Sequence, residues 1–224
     1  MRLDEDAVRE VLADAWERWA HRCAELTPQQ WSTRTRCRPW DVRGLVAHLC
    51  PNRSMFDMLN AATTDGPAAV TDAAEMLRRF NAPGGIAHTS ADRIAERATS
   101  DAAALTPDEA VTRFTECAEI LRATPMSKKT VISYPVVGTT TLAVVAEVAL
   151  MEASVHLLDL DDGVGGVQPS RQALAATRDL LIAVPDPIAA IEGPCRPGRS
   201  SHRGPGHPVT AVTPLTANSQ PATE

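Results

Sequence analysis

Clustered basic residues are what this 224-residue chain most lacks. It has 22 Lys and Arg against 28 Asp and Glu, for a formal charge of −6. Arg36 with Arg38, and Lys128 with Lys129, are too few and too separated to form a basic patch. Binding nucleic acid by neutralising phosphates needs a denser cationic face, so that function class is excluded. The five cysteines (Cys23, Cys37, Cys50, Cys117 and Cys195) show no C-x-x-C spacing. An odd, unclustered count suits a reducing compartment, and cytoplasm is the expectation. The acidic, amphipathic start MRLDEDAVREVLADAWERW has no apolar core or cleavage site, so it does not read as a secretory signal. Strand signal is almost absent too.

What remains reads as helices. Val8, Leu12, Ala15, Trp19 and Leu26 recur at helical spacing after Asp4, a candidate N-cap. Asp41 can cap a second run carrying Val42, Leu45, Val46, Leu49, Phe56 and Leu59, with Pro51 breaking it one turn after His48. Shorter helical stretches are expected near Asp72 to Phe80 and from Ala91 onward. Thr106-Pro107-Asp108-Glu109 is a capping box with proline at the first helical position. The segment KTVISYPVVGTT suits an extended connection across a bundle end. Leu142 to Leu160 predicts a long helix ended by Asp161-Asp162-Gly163, and Ser170 caps a last one that stops at Val184. The fold class is therefore all-α, a helical bundle in one domain. The last forty residues hold eight of the seventeen prolines, so a disordered tail is expected over 192–224, after a domain spanning 1–191. Tail histidines His202 and His207 lack metal-site spacing.

Chemistry concentrates in the stretch LAVVAEVALMEASVHLLDL, residues 142–160. Its inner turns carry Glu147, Glu152, His156 and Asp159, too many ionisable groups for a cheap membrane span. Glu152 and His156, four apart, project from one helical face and can grip one ion. Glu147 lies about 140° round the helix from Glu152. His48, in the apolar run GLVAHLC, can supply a third ligand, which is the count of a catalytic zinc-type site with one open position. Asp159 can hold the other ring nitrogen of His156. Two readings of His48 stand on residues alone, a hydrogen-bonded core histidine and a ligand. Uncompensated burial of Glu152 would cost several kcal/mol, which favours pairing or metal.

Several neighbours are also candidates. Asn52 and Arg53, one turn beyond His48, can face the mouth of such a site as cofactor-binding residues. Trp40 reads as a staple packing on the bundle. Arg43, Arg78 and Arg79 can meet an anion, although solvation explains them as well, and Cys50 points away from His48 as core.

The segment CRPWDVRGLVAHL resembles the C-x-G-W-x-V-R-D-L-x-x-H signature of the mycothiol-dependent maleylpyruvate isomerase N-terminal domains, a family of DinB-like metal-binding four-helix bundles. TTTLAVVAEVALMEASVHLLDL resembles the later E-x-x-x-H-x-x-D-L helix of the same family. The likeness covers roughly Glu5 to Ile191, with Arg38-Pro39-Trp40 in place of Gly-Trp and Gly44 in place of an acid. It implies that His48, Glu152 and His156 ligate a divalent ion, usually zinc, with mycothiol, the low-molecular-weight thiol of actinobacteria, at the open position. The implied function is a thiol S-transferase or isomerase acting on a small electrophile, as monomer or homodimer. The alternative is a metal-binding bundle without turnover. The family pattern extends to VPDPIAAIE, whereas GPCRPGRSSHRGPGHP, from Gly193 on, departs from it as a shifted reading frame would.

Overall fold

The helices of this chain have apolar surface to bury, and the way those surfaces meet fixes where the ionisable residues fall. The computed structural model describes residues 3–185, apart from 126, 128 and 136. The expected tail over 192–224, with His202 and His207, lies outside the described residues.

The first helix, α1 (Glu5–Glu25), begins where Asp4 accepts a hydrogen bond from the Ala7 N–H. A four-residue α2 (Pro28–Trp31) follows, closed by a reciprocal Thr27–Gln30 capping box. Asp41 caps α3 (Val42–Leu49) through the Gly44 N–H. Pro51 separates it from α4 (Arg53–Ala61), which Asn52 caps. Asp72 caps α5 (Ala73–Asn81). Then come a single turn, α6 (Ile86–Thr89), and α7 (Ala91–Ala104). Thr106 caps α8 (Pro107–Ala123) with Pro107 in the first turn, while the Glu109 carboxylate turns to Arg113.

Residues 131–141 depart from expectation. β1 (Val131–Tyr134) and β2 (Gly138–Thr141) pair as an antiparallel hairpin, from Val131 opposite Thr141 to Tyr134 opposite Gly138. The expected extended connection is instead a two-stranded sheet, turned at Gly138 with φ +85°. Its partners come from elsewhere: Thr63 bridges Ile132, and Val70 bridges Thr140. Thr140 also donates its hydroxyl to the Val70 carbonyl at 2.9 Å.

From the hairpin the chain enters α9 (Leu142–Val164), capped by Thr141. This helix runs past the expected stop. Asp161, Asp162 and Gly163 remain helical, and the chain leaves only at Gly165, φ +66°. The Asp161 carboxylate supports that later exit by accepting the Val167 N–H. Ser170 then caps α10 (Arg171–Ala183).

The expected helical bundle is present, with the small hairpin appended. In its core α1 lies against α8 and α9, and α3 against α9 and α7. Leu12, Trp19, Leu45, Phe114, Leu157 and Leu160 fill the centre, where Trp19 stacks on Phe114 with ring centroids 5.7 Å apart. A second core around Met76, Phe80, Ile132 and Val148 joins α5 and the hairpin to the other side of α9. Apolar contacts on two sides explain why α9 has so few polar residues. No helix among the described residues is long and apolar enough to cross a membrane.

Candidate metal centre

Because α9 is buried on two sides, any polar group in its middle turns must find partners inside the protein. Glu152, His156 and Asp159 are 2%, 3% and 4% exposed, and His48 on α3 is 4% exposed. α3 crosses α9 so that the His48 ring stands edge-on to His156, with centroids 5.3 Å apart and planes at 86°. One ligand atom from each of His48, Glu152 and His156 lies within 4.8 Å of the other two. Two imidazoles and a carboxylate are a suitable donor set for a zinc-type ion.

The ring of His156 has two different sides. Its Nδ1 is 2.7 Å from Asp159 Oδ2. Its Nε2 faces Glu152 Oε2 at 3.5 Å, yet makes no hydrogen bond among the described residues although fully buried. A buried ring nitrogen that faces a carboxylate and a second imidazole is arranged as a metal ligand is, so the residues present fit a divalent metal. Burial, helped by the nearby His156, pushes the His48 pKa down to about 3, which keeps it in the neutral form that a metal requires. Around His156 burial opposes charge, but hydrogen bonding to Asp159, Cys37 and Glu152 and the Glu152 charge outweigh it, raising the pKa well above the ordinary range, so a metal that binds Nε2 must displace its proton.

Asp159 is itself held from outside. Burial would raise its pKa, but His156, Cys37 and Arg36 prevail and draw it down to about 2. Cys37 Sγ donates to Asp159 Oδ2 at 2.9 Å and stands 3.8 Å from His156 Nδ1. Arg36 Nε donates to the other oxygen, Oδ1. Both residues sit on a tight loop in which Thr35 binds the Trp40 carbonyl through its N–H and hydroxyl, and the Trp40 N–H returns to Cys37. The loop also lays the Trp40 indole against His48, with centroids 4.3 Å apart. Trp40 is thus more than a staple. Gly44 makes room for it, since a Cβ there would stand 3.1 Å from the Trp40 Cβ.

Arg36 and Cys37 did not figure among the expected site residues. Cys37 opens the motif segment CRPWDVRGLVAHL, and that was the one available signal. The other candidates lie elsewhere. Asn52 spends its side-chain oxygen on capping α4, through the Met55 N–H. With Arg53 it lines a polar cleft on the Ala47 and Cys50 side of α3, away from His48. Arg78 and Arg79 bind Glu75, and Arg43 donates to the Leu105 carbonyl while lying over Trp31. Cys50 is core, and burial raises its pKa strongly. Glu147 faces α10 beside Ala176 and Thr177, away from the trio.

A second cleft does reach the site. It encloses about 830 Å³ including its open mouth, between α1, α4, the end of α8 and the first half of α9, and His48 is part of its wall.

The profile of one protein family, described as the mycothiol maleylpyruvate isomerase N-terminal domain, matches residues 12–161, more than half of the chain and inclusive of all three candidate ligands. No curated protein and no solved structure gives a significant match.

Proposed function

Because the chain belongs to the mycothiol maleylpyruvate isomerase N-terminal domain family, we propose that it is a divalent-metal- and mycothiol-dependent enzyme, a thiol S-transferase or isomerase acting on a small electrophile. The single observation that carries this reading is the buried trio of His48, Glu152 and His156, whose ligand atoms lie within 4.8 Å of one another beside an orphaned His156 Nε2.

In this reading each residue has a separate task. His48 and His156 would hold the ion by ring nitrogens and Glu152 by a carboxylate oxygen. A divalent ion such as zinc, when bound, supplies Lewis acidity that favours the thiolate form of a coordinating thiol near neutral pH. Asp159 accepts the Nδ1 proton of His156, fixing the tautomer that leaves Nε2 for the metal. Arg36 and Cys37 hold Asp159 by its two oxygens, one each. Trp40 covers the His48 ring and limits water on that side. Three protein donors leave room for an exogenous ligand, as expected of a catalytic site.

The test is thiol consumption. Metal-loaded protein mixed with mycothiol and a panel of electrophiles should remove free thiol faster than buffer does, and a Glu152→Gln variant should not. If no electrophile is consumed above the buffer rate while metal is retained, the chain is a binding protein instead.

A further inference from the structure

The cleft that reaches His48 has walls of one kind. Leu12 and Trp16 come from α1, Phe56 from α4, and Val145 and Ala149 from α9. Trp16 and Phe56 meet edge to face, with centroids 6.4 Å apart at 90°. Among the described residues its polar side chains are His48, Asn60 and Thr124, with no acid, lysine or arginine. The Thr124 hydroxyl is already committed to the Ile120 carbonyl at 2.7 Å. A charged group held against the body of this wall, away from the His48 end, would shed water with no charged side chain to receive it, a penalty of several kcal/mol. An uncharged ring or chain would lose nothing comparable and would cover aromatic and aliphatic surface. Ala149 and His48 both line the cleft, and Ala149 lies three residues, one helical turn, before Glu152. Whatever fills the cleft can therefore touch the trio through His48.

We propose that this cleft receives the acceptor substrate, and that the acceptor is a neutral electrophile with an aromatic or comparably apolar body, its reactive carbon at the His48 end. This rests on the reading of His48, Glu152 and His156 as the thiol-activating centre. With an activated alkene the chemistry balances simply. The thiol sulfur forms a bond to the β-carbon, the π pair moves onto the conjugated carbonyl, and the proton lost by the thiol is returned at the α-carbon. Nothing leaves, and there is no net redox change.

Two pairs of probes, each differing by one carboxylate, test it on the full chain. Binding is read by calorimetry with the unreactive N-phenylsuccinimide and N-(4-carboxyphenyl)succinimide. The neutral member should bind at least tenfold tighter. Ala149→Leu, which fills the cleft, and Phe56→Ala, which removes a wall, should each weaken it at least fivefold, with circular dichroism and metal content unchanged. The corresponding maleimides should show the same preference in thiol consumption, after correction for their reaction in buffer. Equal or tighter binding of the carboxylate, or neutral-probe affinity untouched in both folded variants, overturns the proposal. The two readings separate cleanly. Metal uptake and thiol consumption without the preference overturn the acceptor class alone. Absence of metal uptake overturns the centre and, with it, the acceptor role.

Discussion

At the residue scale the decisive feature is that His156 is addressed from both sides, by Asp159 at Nδ1 and by Glu152 facing Nε2. Asp159→Asn keeps the shape but removes the obligate acceptor, so the ring is free to take the wrong tautomer. We expect metal affinity to fall about 10- to 100-fold, read by competition with a chromophoric chelator, with the fold intact by circular dichroism. Unchanged affinity would make Asp159 a structural residue only. Glu152, His156 and Asp159 were legible in the sequence because the 3.6-residue period sets them on one face whatever the rest of the protein does. Cys37, Arg36 and the His48 contact of Trp40 were not. They depend on the path of the loop before α3, which is set by Thr35 gripping the Trp40 carbonyl, and no periodicity describes that.

At the scale of elements, local chemistry was the better guide. Asp4, Asp41, Thr106 and Ser170 all cap the helices that the sequence assigns to them, because a side-chain oxygen and an N–H two or three residues on are a purely local pair. The hairpin was hidden because its strands are short and draw support from Thr63 and Val70, some seventy residues upstream. The end of α9 was misread for a related reason: the glycines that terminate the helix are Gly165 and Gly166, both at positive φ, rather than Gly163. Between α1 and α8 the link is electrostatic as well as apolar, with Arg122 bonded to Glu10 and Glu17. The Arg122 guanidinium outweighs a small burial penalty and holds the Glu17 pKa below its ordinary 4.5. A lowered carboxylate pKa contributes stability that is present above 4.5 and is lost as pH falls through the folded-state value. Glu17→Gln should therefore cost less than about 1 kcal/mol near pH 7, since both partners are partly exposed and screened. In urea titrations the difference from the parent protein should shrink steadily on acidification below pH 4.5. A difference independent of pH would show that packing, and not charge, is responsible.

At the scale of the whole molecule, the crossing of α3 over α9 is what matters, because it brings together residues about a hundred positions apart in the chain. Folding thus assembles a site that neither helix contains, with His48 also part of the wall of an apolar cleft. The sequence alone left His48 open between core residue and ligand, since which buried helix faces which is a property of packing and not of spacing. In the folded chain His48 stands edge-on to His156, with Trp40 on one side of it and the cleft on another. The most direct test is a competition titration of the metal-free full chain with zinc, run beside His156→Ala. We predict one equivalent bound by the parent protein and none above background by the variant. Equal uptake by the two, or none by either, would contradict the assignment of His48, Glu152 and His156 as a metal centre.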